Sequence, residues 1–199
     1  MRRLFDGIET WSAFSEAKGY DLNGYLLRGE EGTVLIDPPE MPGADLAAVR
    51  ELPAPFDILL TNKDHRRDAD RLRRELGARL WIHEADLPLL GLAVEATFRG
   101  GDRLPGGLRA IHVPDNKSPG ETAFFQDRHG GVLFVGDAMV GIPSGELRLM
   151  DASKYRDVAR ALEGLRVLLE PRYDAVLVGD GTPVRSGGRE AIRRYLALT

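Results

Sequence analysis

The sequence predicts a mixed α/β domain of sheets layered under helices, and three observations carry that expectation. Apolar strands alternate with helical segments over the first half, strand follows strand through the middle, and alternation returns at the end. The middle meander argues against a purely parallel wound sheet. The chain has 199 residues, enough for one sizeable core, so a single domain over residues 1–199 is expected.

The elements follow in order. "GYLLRG" (24–29) and "GTVLIDPP" (32–39) read as a hairpin, the second strand running β-branched and aliphatic residues into Asp37 and a double proline that stops it. "GADLAAVREL" (43–52) sets Leu46, Val49 and Leu52 at helical spacing; "PAP" breaks the pattern and "FDILLT" (56–61) resumes as a buried strand. From Asp68 the apolar residues Ala69, Leu72 and Leu76 recur at helical intervals, and Gly77 stops that helix before the strand "ARLWIH" (78–83). "LRAIHVPD" (108–115) and "TAFFQDRHGGVLFVGD" (122–137) form the meander, with "DRHGG" as a hairpin turn. A helix "YRDVARALEGLRVLLE" (155–170), a strand "DAVLVGD" (174–180), a glycine-rich loop and a last helix "REAIRRYLAL" (189–198) complete the chain.

Composition removes several function classes. Net charge is −4 and the two signs are interspersed, so no electrostatic footprint for nucleic acid is expected. There is no cysteine, which excludes disulfides and thiolate metal sites and leaves His, Asp and Glu as ligands for any metal. "MRRLFDGIETWSAF" has no apolar core of signal-peptide length, and no run approaches a membrane span, so a cytoplasmic protein without a membrane partner is expected.

In layered α/β domains ligands gather beyond the carboxyl ends of strands. Four strands deliver charge there: "TNKDHRR" after "ILL", "PDNKSPGE" after "AIHV", "GDAM" after "LFV" and "GDGTP" after "AVLV". An isolated Asp in such a loop is most simply a cap or turn residue. Four deliveries in order instead point to a cleft of Asn62, Asp64, His65, Arg66, Arg67, Lys117, Asp137 and Asp180. His65 is the only imidazole among them, and with Asp137 it is the candidate for a catalytic role. His83 and His112 end strands and His129 sits in a turn, so these three read as structural.

The same residues resemble the metallo-β-lactamase superfamily over nearly the whole chain. "LNGYLL" and "TVLIDPP" look like the opening hairpin, and "RGGDRLPGGLRAIHV…SPGETAFF…GVLFVGDAM" is similar to the central meander. The resemblance implies a four-layered αββα sandwich whose edge holds one or two metals, usually zinc, that activate water. It also implies ligands in a His-x-His-x-Asp-His motif, a later His before Pro-Gly, a bridging Asp in Gly-Asp, and a final His.

Without a gap, Asn62 and Asp64 stand at the first two His positions of that pattern, and Arg66 and Arg67 at its Asp and last His. Lys117 takes the later His, Asp180 the final one, and only the bridging Asp survives, as Asp137. A two-residue gap instead aligns Asp64 and His65 with the Asp-His pair, giving a one-metal set of Asp64, His65, Asp137 and Asp180. The ungapped reading keeps Ala69 where the family has a small residue.

Arginine offers only donors and keeps its charge, which suits neither a ligand position nor a neighbouring metal ion. The ungapped reading therefore predicts that Arg66, Arg67 and Lys117 replace metals as partners of Asp64, Asp137 and Asp180, with no cofactor. The protein would then be a metal-free member, inert or binding a small anionic molecule. The alternative is a hydrolase of an ester, thioester or lactone with one zinc, manganese or magnesium ion.

Overall fold

Two sheets stack face to face in the structure, a computed structural model that describes residues 1–29 and 31–198. The first sheet has seven strands in chain order: β1 (Arg2–Phe5), β2 (Ile8–Ser15), β3 (Tyr20–Gly29), β4 (Gly32–Ile36), β5 (Phe56–Leu59), β6 (Arg79–His83) and β7 (Ala96–Phe98). Strands β1 to β4 pair antiparallel, and β4 to β7 pair parallel through helical crossovers. The second sheet contains β8 (Arg103–Leu104), β9 (Leu108–His112), β10 (Thr122–Gln126), β11 (Val132–Val135) and β12 (Ala175–Val178), in the order β12-β11-β10-β9-β8.

The alternation of strand side chains builds both faces of each sheet. Val34 and Ile36 of β4 point at the other sheet, where they meet Phe124, Phe134 and Leu177. Leu35 points the other way, into a layer shared with helices α1 (Gly43–Arg50) and α2 (Ala69–Leu76). On the second sheet Leu133, Val135, Val176 and Val178 pack outward against the chain from α4 (Val158–Gly164) to α5 (Gly188–Leu198). A short α3 (Leu87–Leu90) follows β6. Helix, sheet, sheet, helix is the four-layer order, and both sheets are buried on two faces, which explains their near-continuous apolar strands.

Two local features differ from the expectation. The first residues form a β1–β2 hairpin, and the β2–β3 turn that follows brings Lys18 and Tyr20 beside Asp180. The helix expected over 155–170 is α4 followed by a 3-10 turn over Leu165–Leu169. Gly164 at that junction stands against the Pro114 carbonyl, where a Cβ would come within 2.2 Å. Among the described residues, no helix is long and apolar enough to cross a membrane.

The arrangement places five loops at one edge. Asp37 follows β4, Thr61–Arg67 follow β5, Lys117 lies between β9 and β10, Asp137 follows β11, and Asp180 follows β12.

Candidate functional site

After β5 the chain enters a 3-10 turn, Lys63–Arg66, capped by the Asn62 side chain, which accepts from the Asp64 amide at 2.9 Å. The turn is kinked at His65, whose φ/ψ of −90°/15° departs from helical values. This geometry decides which side chains face inward. His65 is buried, whereas Arg66 is exposed and reaches the Leu90 carbonyl at 3.4 Å. Arg66 thus does not join the acids it was expected to pair with.

His65 lies between two carboxylates. Its Nδ1 is 2.7 Å from Asp37 Oδ2 and its Nε2 is 3.2 Å from Asp137 Oδ1. Asp37 itself is fixed by the Thr61 amide at 2.8 Å and the Thr61 hydroxyl at 2.6 Å. Burial and the Arg67 guanidinium push the imidazole pKa down, but Asp37 and Asp137 outweigh them and hold it up at about 9. At neutral pH His65 is therefore an imidazolium that donates from both nitrogens.

Asp137 is buried, which alone would raise its pKa, yet His65 and Lys117 hold it well below the usual carboxylate range. Lys117 Nζ is 2.5 Å from Asp137 Oδ2 and 2.9 Å from Asp64 Oδ2. Desolvation would lower the ammonium pKa, and the two carboxylates reverse that, Asp137 first. Asp64 is more exposed and is also bonded by Lys63 at 2.8 Å.

Arg67 completes the cluster from an unusual backbone, with φ at 32° in a region that favours glycine. Its Nη1 donates to the carbonyls of Asn23 and Asp37 at 2.8 and 2.9 Å. Its Nη2 donates to the Gly179 carbonyl at 3.1 Å and to Asp180 Oδ1 at 2.8 Å. Lys18 takes the other Asp180 oxygen at 3.0 Å. The buried core of the site thus sets the carboxylates Asp37, Asp137 and Asp180 against the cations His65, Arg67 and Lys117.

Both Gly-Asp steps have a steric reason. A Cβ on Gly136 would lie 2.1 Å from Thr61 Oγ1, and one on Gly179 would lie 2.6 Å from His65 Cε1. The bare backbone lets each loop come close enough to deliver its aspartate. His65, Asp137 and Asp180 each bring one ligand-type atom within 4.8 Å of the others. Asp64, the fourth member of the gapped reading, lies outside that trio.

The family model described as "Metallo-beta-lactamase superfamily" matches residues 3–199. The chain belongs to the metallo-β-lactamase superfamily. Among solved structures, TTHA1623 in a di-iron-bound form is 28% identical, with a TM-score of 0.70 over 92% of this chain and 96% of that one. The metallo-β-lactamase family protein TTHA1429 from Thermus thermophilus is 20% identical, with a TM-score of 0.72 over 98% of this chain and 80% of that one. A metallo-β-lactamase from Erythrobacter litoralis is 18% identical, with a TM-score of 0.77 over 98% and 93% of the two chains. No curated protein matches the chain.

Several residues of this superfamily member's cleft are not evident from the sequence. Asp37 reads there as a strand stop, although "LIDPP" delivers a carboxylate to the same edge as the four loops singled out. Glu121 is fully buried; its Oε1 accepts from the Ala138 amide at 3.0 Å and its Oε2 has no partner among the described residues. Burial, then the Asp137 charge, pushes its pKa well above the carboxylate range, which favours the protonated form. Asp86 is also buried and joins two cleft loops, accepting from the Lys63 amide at 2.9 Å, the Ser118 hydroxyl at 2.7 Å and the Gly120 amide at 2.8 Å. His83 and His112 stack with centroids 4.7 Å apart, and His129 stacks on Phe5, all outside this cluster.

Proposed function

We propose that this protein is a metal-independent, non-hydrolytic member of its superfamily, in which side-chain cations stand where the fold's metals would bind. The observation that carries this reading is the pairing of substituted positions. Lys117 bonds Asp64 and Asp137, and Arg67 bonds Asp180, so positions that would share a metal share a salt bridge instead. This pairing favours the ungapped alignment, with His65 turned inward where Arg66 turns out.

The residues present do not fit a metal. Nε2 of His65 lies against Asp137 with Arg67 Nη2 3.4 Å away, Asp137 is bonded by Lys117, and both Asp180 oxygens are taken by Arg67 and Lys18. A divalent ion would have to displace fixed positive groups and strip a proton from an imidazolium. A ligand of such a site is a small molecule, and an acidic one would find Arg67 lining a cavity of about 580 Å³ beside the cluster, with Phe14 and Arg71.

A second reading is a hydrolase of an ester, thioester or lactone with one zinc, manganese or magnesium ion. It is favoured by the convergence of His65, Asp137 and Asp180, and by the two irons of TTHA1623.

Elemental mass spectrometry of protein purified without chelator, from cells supplied with zinc, manganese and iron, separates the two. Metal near zero is the expected result. Near one equivalent of a single metal, with an esterase activity lost in Asp137→Asn, would overturn the proposal.

A further inference from the structure

We infer that the domain carries a second small-molecule site at the end of the sandwich opposite the cleft, suited to a small monocarboxylate with an apolar body. A cavity of about 520 Å³ opens there, within the range typical of small-ligand sites. Strand beginnings rather than strand ends shape it: Gly32 opens β4, Arg79 opens β6, and the turn Pro105–Gly107 leads into β9. It shares no lining residue with the His65 cluster.

Its chemistry is amphipathic. Leu27, Val34 and Leu104 supply buried apolar surface between the sheets. Three arginines line the cavity, and their states differ. Arg79 is held in place by Asp57, donating from Nε and Nη2 at 2.8 Å each, while its guanidinium lies 5.5 Å from the centre of the Trp81 ring. Asp57, which is buried, also accepts from Trp81 Nε1 at 2.7 Å and is neutralised in place. Arg28 gives one nitrogen to Glu9 at 2.6 Å. The Arg128 side chain, in the exposed β10–β11 turn, has no hydrogen-bond or ion-pair partner among the described residues.

Charge selects the ligand class. Among the described residues, Asp57 pairs Arg79 and Glu9 pairs Arg28, which leaves Arg128 as the one arginine of the lining free to meet a ligand. One carboxylate pairs with that single guanidinium, whereas a phosphate dianion would bring a second negative charge toward Glu31. Gly106 and Gly107, at φ of 74° and 69°, keep the opposite rim free of side chains, and a Cβ on Gly106 would come within 3.1 Å of Val34 Cγ2. The ligand's apolar body then lies on the leucine and valine floor with its carboxylate at Arg128.

The test is a titration of the full chain with hexanoate, followed by calorimetry and by amide chemical shifts. Saturable binding is expected, with shift changes gathered at Gly106, Gly107 and Arg128 and none beyond noise at His65, Arg67 or Asp180. Arg128→Ala, in an exposed turn, should weaken binding about tenfold without altering the fold, and hexanol and inorganic phosphate should bind at least about tenfold more weakly than hexanoate. No saturable binding, equal binding of hexanol, or shifts gathered at the His65 cluster would each overturn the inference. The last outcome would leave the proposal of a metal-independent cleft standing, since metal content is measured separately.

Discussion

The Arg67 guanidinium stands 2.8 Å from the Asp180 carboxylate while bonding the carbonyls of Asn23, Asp37 and Gly179. Asn23 and Asp37 belong to the first sheet's edge and Gly179 and Asp180 to the second's, so one side chain joins the two layers. Its guanidinium also secures a backbone at φ 32°, a conformation that costs on the order of 1–3 kcal/mol for a non-glycine residue.

Arg67→Ala should therefore destabilise the protein by about 3–5 kcal/mol, as expected when one partner of a buried ion pair is removed. Urea denaturation measures it. A change below about 0.5 kcal/mol, typical of a surface substitution, would show that the guanidinium holds nothing together.

Alkaline pH should weaken the fold through His65. The imidazole releases its proton near 6.5 when unfolded and near 9 when folded, so its contribution is whole below pH 6.5 and lost as pH rises through 9. The loss is roughly 3 kcal/mol at most, from the size of the shift. On the acid side Asp137 acts oppositely, contributing above the usual carboxylate range and losing its contribution as pH falls toward its depressed folded value. Denaturation curves from pH 6 to 10 should slope downward for the parent and much less for His65→Gln; parallel curves would refute this account.

Glu121 has the reverse sign from Asp137. Its folded pKa lies above the unfolded value, so the fold holds a proton that the unfolded chain releases, and stability declines as pH rises from about 4.5. Glu121→Gln keeps an oxygen for the Ala138 amide and removes the titration. The variant should match the parent at pH 4 and exceed it at pH 8, and a variant weaker than the parent at pH 8 would mean the carboxylate is charged in the fold.

Gly136→Ala and Gly179→Ala should each cost about 1–3 kcal/mol through overpacking, with Gly136 the worse because its Cβ would lie 2.1 Å from Thr61 Oγ1. Gly43→Ala is the control, since nothing lies within 4 Å of its Cβ position. Equal stability of all three variants, read from melting temperatures, would deny the close approach that brings Asp137 and Asp180 inward.

The architecture was legible because each strand's apolar run and each helix's spacing point to the same layers. Val34 and Ile36 against Leu35 already encode a strand with two buried faces. The paired Gly-Asp steps were equally legible, although their reason, the approach of Gly136 to Thr61 and of Gly179 to His65, arises only in the folded chain. What the sequence hid was rotation. A motif laid on a line assigns Arg66 inward, and the kinked turn at His65 exchanges the two side chains. Asp37 was hidden by its own strand-ending position, and Glu121 because burial, rather than any neighbour in the sequence, raises its pKa.

Asp86 has a dynamic consequence. By gripping the Lys63 amide, the Ser118 hydroxyl and the Gly120 amide together, it makes the loops that carry His65 and Lys117 a single body. Neither can swing aside alone. The β2–β3 hairpin is pinned as well, with the Asn23 amide donating to the Gly179 carbonyl at 2.8 Å, the Gly181 amide to the Asp21 carbonyl at 2.9 Å, and Lys18 to Asp180. The cluster is accordingly clamped from both sides, a preformed frame rather than a closing one.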